Sequence, residues 1–241
     1  MARRTDMTGR WLLLAALGAA ACAPAAMQQP AGAPASPGKI GGARPAKAPS
    51  PGRPADERAA ALMPLLEAPW GWRDDKDGQL RAPLPDWERW TRVRFWGVEH
   101  FTGFRYGDDH RALAIVLVQE VPEGTPTDSR SCMRRFEAWA RPKAKAFGVE
   151  LGPIGQRDAR WQDDALSVEY VDGAVDFMFE HREFSAAWAT FPAYPDACLV
   201  YAVAVPWRGH AELARQIRDR WVDEGFGGLR AMTQRAPHRL P

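Results

Sequence analysis

The stretch "LSVEYVDGAVDFMFEHREF", residues 166–184, is the part of the chain that decides the fold class. Apolar and polar residues alternate along it, which is the period of a half-buried β-strand. Asp172-Gly173 stands between two alternating runs, and an Asp-Gly pair in that position is the strongest short signal for a hairpin turn. We therefore predict an antiparallel β-hairpin that turns at Asp172-Gly173.

Further strands are predicted on both sides of this hairpin. Strand patterns cover residues 90–96, 101–107, 112–121, 186–194 and 198–207, and "DDKDG" at 74–78 predicts another turn. The run "ALAIVLVQEV" at 112–121 is almost wholly apolar, so we place it in the interior of the sheet. Because hairpins dominate, the sheet should be largely antiparallel.

Three helical patterns separate and flank these strands. The first covers residues 57–67, with Asp56 as its cap and an interruption at Pro64. The second has an apolar face made by Met133, Phe136, Ala140, Ala144 and Phe147, and Pro142 should kink or split it. The third covers residues 210–222, where Leu213, Ile217 and Trp221 recur every four residues.

The order of these elements predicts an α+β fold. We expect a largely antiparallel sheet covered by two or three helices, forming a single globular domain at residues 56–230 with a polar tail at 231–241. The element order over residues 88–225 is similar to that of the Mog1/PsbP-like α+β sandwiches. This resemblance rests on element order and implies a fold, not a function.

The amino terminus has the pattern of an export signal. Three arginines among the first ten residues precede eleven apolar or Gly residues, Trp11–Ala21, a run far too short for a membrane span of ~20 residues. Ala19-Ala20-Ala21-Cys22 resembles the lipobox of bacterial lipoproteins. That resemblance implies a signal peptide at 1–21 and a lipid on Cys22. The same small residues also fit the ordinary signal peptidase, which would release a soluble periplasmic or secreted protein.

A tether is predicted after Cys22. Residues 22–55 contain eight Pro, five Gly and ten Ala and no acidic residue, a composition that cannot form a packed core. Ala23 follows the cysteine, where Asp would favour the inner membrane by resemblance to Gram-negative lipoproteins. We therefore expect the outer membrane, with the domain facing the periplasm or the cell surface.

The net charge of the domain argues against nucleic acid as a partner. Residues 1–55 contain seven basic residues and one acidic residue, whereas residues 56–241 contain 25 basic and 29 acidic residues. A nucleic-acid-binding domain needs a basic face, and this slightly acidic part of the chain has no basic stripe. The expected partners are the membrane, through the lipid, and an envelope protein or glycan.

Two cysteines remain once Cys22 is assigned to lipid. Cys132 and Cys198 form an even pair in an exported chain, which predicts a disulfide. The alternative is two separate buried thiols. Neither cysteine belongs to a C-x-x-C motif, so nothing indicates redox catalysis.

Tryptophans are the first candidate ligand-binding residues. The candidates are Trp70, Trp72, Trp87, Trp90, Trp96 and Trp207, five of them within residues 70–96 and interleaved with Arg and Asp. Exposed indole rings can stack on sugars or cations or anchor a partner, whereas buried rings would only fill the core. Three or more rings exposed on one face would favour binding.

A polar set is the second candidate. His100, Asp108, Asp109, His110 and His181 are the residues from which a His–carboxylate site could be assembled. The chain has no G-x-S-x-G, H-E-x-x-H, P-loop or G-x-G-x-x-G motif, so we assign no catalytic residue, no metal site and no cofactor.

The expected function is non-enzymatic binding or scaffolding in the cell envelope. An envelope hydrolase or a carbohydrate- or peptidoglycan-binding module is the alternative.

Overall fold

The structure is a computed structural model. It describes residues 55–75, 80–93, 101–107, 112–122, 128–146, 148–161, 164–177, 180–193, 197–207 and 209–231. The predicted signal peptide, the tether as far as residue 54 and the tail from residue 232 lie outside the described residues, so they stay predictions.

The described elements follow the predicted order of helix, strands, helix, strands, helix. In chain order they are α1 (Ala55–Leu62), α2 (Pro64–Glu67), β1 (Trp70–Asp74), β2 (Leu80–Pro85), β3 (Trp90–Val93), β4 (Phe101–Tyr106), β5 (Ala112–Glu120), α3 (Ser129–Ala146), β6 (Val149–Leu151), β7 (Gly155–Trp161), β8 (Asp164–Phe177), β9 (Glu180–Ala193), β10 (Ala197–Trp207), α4 (Ala211–Arg220) and β11 (Arg230–Ala231). A 3₁₀ turn (Trp87–Arg89) precedes β3, and a π-helical turn (Trp221–Gly225) continues α4.

Two antiparallel sheets form the framework. The large sheet has the strand order β3-β4-β5-β10-β9-β8-β6, with β7 also paired to β8, and the small sheet has the order β1-β2-β11. Every described pairing is antiparallel. The predicted α+β class with a largely antiparallel sheet is therefore confirmed, and the apolar strand β5 lies in the sheet interior, between β4 and β10.

Both faces of the large sheet are covered, as the side chains of β10 show. Val200 and Ala202 pack against α3 through Met133 and Phe136. Tyr201 and its neighbours of the same parity point to the other face, where α1, α2, α4 and the small sheet contribute to a second core. The small sheet thus closes the face opposite α3.

Asp172-Gly173 is not a turn, which corrects the predicted hairpin. Both residues lie inside the long strand β8, and the β8–β9 connection comes at residues 178–179. The Asp172 carboxylate accepts hydrogen bonds from Ser185 Oγ at 2.5 Å, Arg215 Nε at 2.7 Å and Arg218 Nη1 at 2.9 Å. Burial raises the pKa of Asp172, but these hydrogen bonds and arginine charges outweigh it, so the pKa lies below its ordinary value.

Gly173 has a packing reason to lie within the strand. A Cβ at this position would lie 2.6 Å from Cζ of Phe184 and 2.8 Å from the backbone oxygen of Glu150. Any side chain would therefore collide with a neighbouring ring and a neighbouring backbone. Glycine is selected here by close approach and not by turn geometry.

Pro142 does not split α3, which corrects a second prediction. The helix runs from Ser129 to Ala146 through the proline. Pro142 lacks the N–H that would bond to the carbonyl of Ala138, but both residues are exposed, so water can reach that carbonyl. Asp128 caps the helix by accepting a hydrogen bond from the backbone N–H of Ser131 at 2.8 Å.

A disulfide joins the start of α3 to the start of β10. It links Cys132 and Cys198, which are both fully buried and lie 66 residues apart in the chain. Val121 packs against the two sulfurs in a small separate cluster. The bridge ties the helix of one layer to an inner strand of the sheet beneath it.

None of the helices in the described ranges is both long enough and apolar enough to cross a bilayer.

Candidate functional site

A groove lined by tryptophan and charged side chains runs along β1, the outer strand of the small sheet. Its volume is about 560 Å³, and its lining residues are Trp70, Gly71, Trp72, Arg73, Asp74, Arg81 and Trp87. We call it the aromatic groove. It brings together three of the six tryptophans that the sequence indicated as ligand-binding candidates.

The alternation of β1 places two indole rings on the same side of the strand. Trp70 donates its Nε1–H to Oε2 of Glu224 at 2.9 Å and packs edge-on against Trp221, with ring centroids 5.2 Å apart. Trp72 donates its Nε1–H to the carbonyl of Gly228 at 3.2 Å. Both rings are therefore anchored to the segment that follows α4. The bond from Trp70 also lowers the pKa of Glu224.

Trp87 reaches the groove from the 3₁₀ turn that follows β2. Asp86, just before it, has a left-handed backbone with φ of 50°, and its carboxylate accepts a hydrogen bond from the Tyr106 hydroxyl at 2.5 Å. The turn lays the indole directly on the backbone of Gly71, where a Cβ would lie 2.1 Å from Cδ1 of Trp87. Glycine at this position is what allows the ring to lie flat against the strand.

Each of the three rings has an arginine stacked on it. The guanidinium carbon lies 4.7 Å from the ring centroid for Arg73 over Trp87. The corresponding distance is 4.2 Å for Arg230 over Trp72. For Arg220 over Trp70 it is 4.8 Å. Such cation–π contacts hold the rings in place and add positive charge to the groove.

Two of the rings are available to a ligand, one fewer than the three exposed rings that the sequence-based expectation for a binding face required. Trp72 is 37% exposed and Trp87 is 39% exposed, whereas Trp70 is only partly exposed. Trp72 is tied down by a hydrogen bond and both rings by an arginine, so little side-chain entropy remains to be lost on binding. Flat, rigid indole faces beside hydrogen-bonding groups suit ligands that have one apolar face and polar edges, as sugar rings do.

The structure corrects the sequence prediction for two other tryptophans. Trp90 is 2% exposed, and its Nε1–H bonds to the Pro85 carbonyl at 2.8 Å. Trp207 is 8% exposed, and its Nε1–H bonds to Oε2 of Glu183 at 2.5 Å. Both indoles satisfy their polar atom inside the protein and pack in the core, so neither forms a binding surface. Trp96 lies outside the described residues.

The predicted polar set stays a prediction, because only one of its five members lies within the described residues. His181 is exposed on β9. The other members, His100, Asp108, Asp109 and His110, lie outside the described residues. Within the described ranges, no group of three or more His, Cys, Asp or Glu side chains could hold a metal ion.

One polar cluster was missed by sequence reasoning. Glu169 on β8 is 7% exposed and faces α3, where its Oε2 accepts the Nε1–H of Trp188 at 3.1 Å. Burial, followed by the charge and hydrogen bonding of Glu137, raises the pKa of Glu169 to about 7. Arg141 donates to Oε1 of Glu137 at 2.8 Å. The sequence carries no signal for this cluster, because Glu169 stands in an ordinary alternating strand pattern.

A narrow apolar cleft lies beside this cluster, between α3 and the sheet. Its volume is about 50 Å³, and it is lined by Phe136, Glu137, Ala140, Arg141, Ala144, Val149, Leu151, Ile154, Val171, Phe184, Ala186 and Trp188. The small alanine side chains on the side of α3 that faces the sheet leave this space open. This volume is far below that of a typical ligand pocket of ~300 Å³ or more, so the aromatic groove is the better candidate site.

Comparison with known proteins adds structural neighbours and no family. No family model matches the chain, and no curated protein matches it. The solved structures that are similar include cyanobacterial PsbP (CyanoP) from Synechocystis, at 12% identity and a TM-score of 0.48, covering 68% of this chain and 93% of that one. They also include LpqN, described as involved in cell envelope biogenesis of Mycobacterium tuberculosis, at 12% identity and a TM-score of 0.35, covering 63% and 88%. The likeness is one of fold.

Proposed function

We propose that this chain is a lipid-anchored protein of the bacterial cell envelope that binds a glycan in its aromatic groove. One observation carries the proposal. Trp72 and Trp87 line the same groove and are its two most exposed indoles, and an arginine lies against each ring. The lipobox-like Ala19-Ala20-Ala21-Cys22 and the tether that follows it support the location.

A binding function fits this site better than hydrolysis does. The groove contains stacking surfaces and charged groups, but its one lining carboxylate, Asp74, accepts a hydrogen bond from Arg81 at 2.7 Å. Among the lining residues there is no histidine, serine or cysteine that could act as a nucleophile or proton carrier. We therefore place no chemical step here and assign the groove to recognition.

Replacement of Trp87 by alanine is expected to weaken binding to purified peptidoglycan sacculi by about tenfold, because the ring supplies exposed stacking area at little entropic cost. Trp72→Ala should act in the same direction. Co-sedimentation of the mature chain with the sacculi measures both.

The matched control is Trp139→Ala, which removes a partly buried indole from α3, on the opposite face of the sheet. Binding by this variant should equal that of the wild type. Wild-type protein that stays in the supernatant at every amount of sacculi, or binding that survives the loss of both groove rings, would show that the groove does not bind this glycan.

Replacement of Cys22 by alanine is expected to move the protein from the membrane fraction to the soluble periplasmic fraction and to abolish its labelling by a palmitate analogue. The physical reason is that the acyl chains attached at Cys22 would be what holds the chain at the bilayer. Fractionation of cells that express each form measures this. Ser36→Ala, within the predicted tether, is the control and should stay with the membrane. Unlabelled, soluble wild-type protein would contradict the anchor.

A further inference from the structure

We propose that the aromatic groove selects acidic glycans, that is, saccharides whose rings carry carboxylate or phosphate groups. The inference deepens the proposed function and rests on it: the indole rings would bind the sugar, and the arginines that stack on them would bind the anion. The inference adds that the preferred ligand carries negative charge, which a general glycan site does not require.

The charge of the groove is one-sided. Arg73 and Arg81 line it, and Arg230 is stacked on Trp72 at its wall. Asp74 is the lining carboxylate, and its Oδ1 and Oδ2 both accept from Arg81, at 2.7 Å and 3.5 Å. Arg92 adds a further guanidinium beside it by donating to the backbone oxygen of Asp74 at 2.9 Å. Among the described lining residues the one carboxylate is therefore paired with Arg81, while Arg73 adds a guanidinium without a carboxylate partner there. Glu224, which accepts from Trp70, is held by Arg220 Nε at 3.4 Å.

Two of the arginines have hydrogen-bonding capacity to spare. Arg73 donates from Nη2 to the Trp87 carbonyl at 3.3 Å, and within the described residues its Nη1 makes no hydrogen bond. Arg230 is exposed, and within the described ranges the structure gives it no carboxylate partner. A guanidinium has five donors in a rigid plane, which matches the paired oxygens of a carboxylate or phosphate.

The stacking sets where the anion would lie. Arg230 is 4.2 Å from the Trp72 ring centroid and Arg73 is 4.7 Å from that of Trp87. A sugar that stacks on the exposed part of either indole therefore has a guanidinium beside its ring edge. An equatorial carboxylate or phosphate on that sugar projects from this edge, so it meets charged N–H donors.

The same arrangement excludes cationic ligands. Arg73, Arg220 and Arg230 each place a guanidinium against one of the three rings. A cationic ligand would therefore lie beside like charges, which repel it. A neutral sugar meets no such repulsion, but it leaves the spare donors unused.

The test uses matched pairs of saccharides that differ only in charge. One pair is hexagalacturonate and its fully methyl-esterified form, and the other is mannopentaose with and without a terminal phosphate. Calorimetry should show about tenfold tighter binding for the charged member of at least one pair, and a loss of that preference between 50 mM and 500 mM NaCl. The pair that shows the preference identifies the anion as carboxylate or phosphate.

Arg230→Gln should abolish the preference, because binding of the charged member should fall by more than binding of the neutral member does. Arg130→Gln, which removes an exposed arginine of α3 and so makes the same change in net charge, should retain it. Thermal melting verifies that both variants fold. Equal affinity for charged and neutral members would overturn the charge selectivity and leave the proposed glycan binding standing. No binding of any of the four saccharides or of sacculi would overturn both.

Discussion

Replacement of both Cys132 and Cys198 by alanine is expected to lower the free energy of unfolding by about 4 kcal/mol. The disulfide closes a loop of 66 residues, and the chain-entropy model gives roughly this value for a loop of that length. The bridge also joins α3 to an inner strand of the large sheet, so its loss frees the helix that covers one whole face. Urea denaturation of the oxidised wild type and of the double variant measures the difference.

The control for this experiment is Val121→Ala. Val121 packs against the bridge, and its truncation removes apolar contact without opening the loop. This variant should lose only about 1 kcal/mol. Wild-type protein unfolded in the presence of a reductant should match the double variant. If the double variant lost no more stability than Val121→Ala, the bridge would contribute little to holding the fold together.

Replacement of Glu169 by glutamine is expected to raise the free energy of unfolding at pH 8 by about 3 kcal/mol. The carboxyl has a pKa of about 7 in the folded chain, against 4.5 for the unfolded reference. Between these values the folded state keeps a proton that the unfolded state has released, so the stability of the wild type falls as pH rises through this window. Glutamine is neutral at every pH, and its carbonyl can still accept from Trp188.

The measurement is the free energy of unfolding between pH 4 and pH 9 for the two proteins. The curves should meet near pH 4 and diverge above it, with the wild type the less stable. Glu150→Gln, at an exposed position on β6, is the matched control and should follow the wild type. Parallel curves for wild type and Glu169→Gln would show that Glu169 is not protonated in the folded chain at neutral pH.

The fold class could be predicted because the strand and helix patterns are local. The interior position of β5 follows from its unbroken apolar run, and the buried face of α3 follows from the spacing of Met133, Phe136, Ala140 and Ala144. Each of these two patterns reports which side chains of a single element are buried. Neither depends on contacts with a distant part of the chain.

The two errors in the fold have a common origin, since each depended on the environment of one residue. Asp172 and Gly173 have the local preferences of a turn. They stay in a strand because Arg218, distant in sequence, needs a carboxylate there and the Phe184 ring, on the paired strand β9, needs an empty space. Pro142 stays in a helix because the carbonyl that it leaves unpaired faces solvent. Local propensity was overridden by tertiary context.

The sequence predicted which residue types form the candidate site, but not where in the fold the site lies. The density of tryptophan in residues 70–96 marked the region, yet only burial separates the exposed Trp87 from the buried Trp90 three residues later. Arg230, which stacks on Trp72, is more than 150 residues away in the chain. The acidic Glu169 was hidden for another reason: both faces of the large sheet are covered, so a polar residue of either parity becomes buried.

The pairing of β11 with β2 sets the order in which the groove can be completed. Arg230 and Ala231 pair with Arg81 and Leu80, so the last described strand of the chain hydrogen-bonds to one of the first. Synthesis proceeds from the amino end, and therefore the tryptophans of β1 are made long before the arginine that stacks on Trp72. A nascent or prematurely ended chain has the indole rings without this wall. The proposed charge selectivity would thus require a chain that extends at least to Arg230, because the last guanidinium of the groove is made more than 150 residues after Trp72.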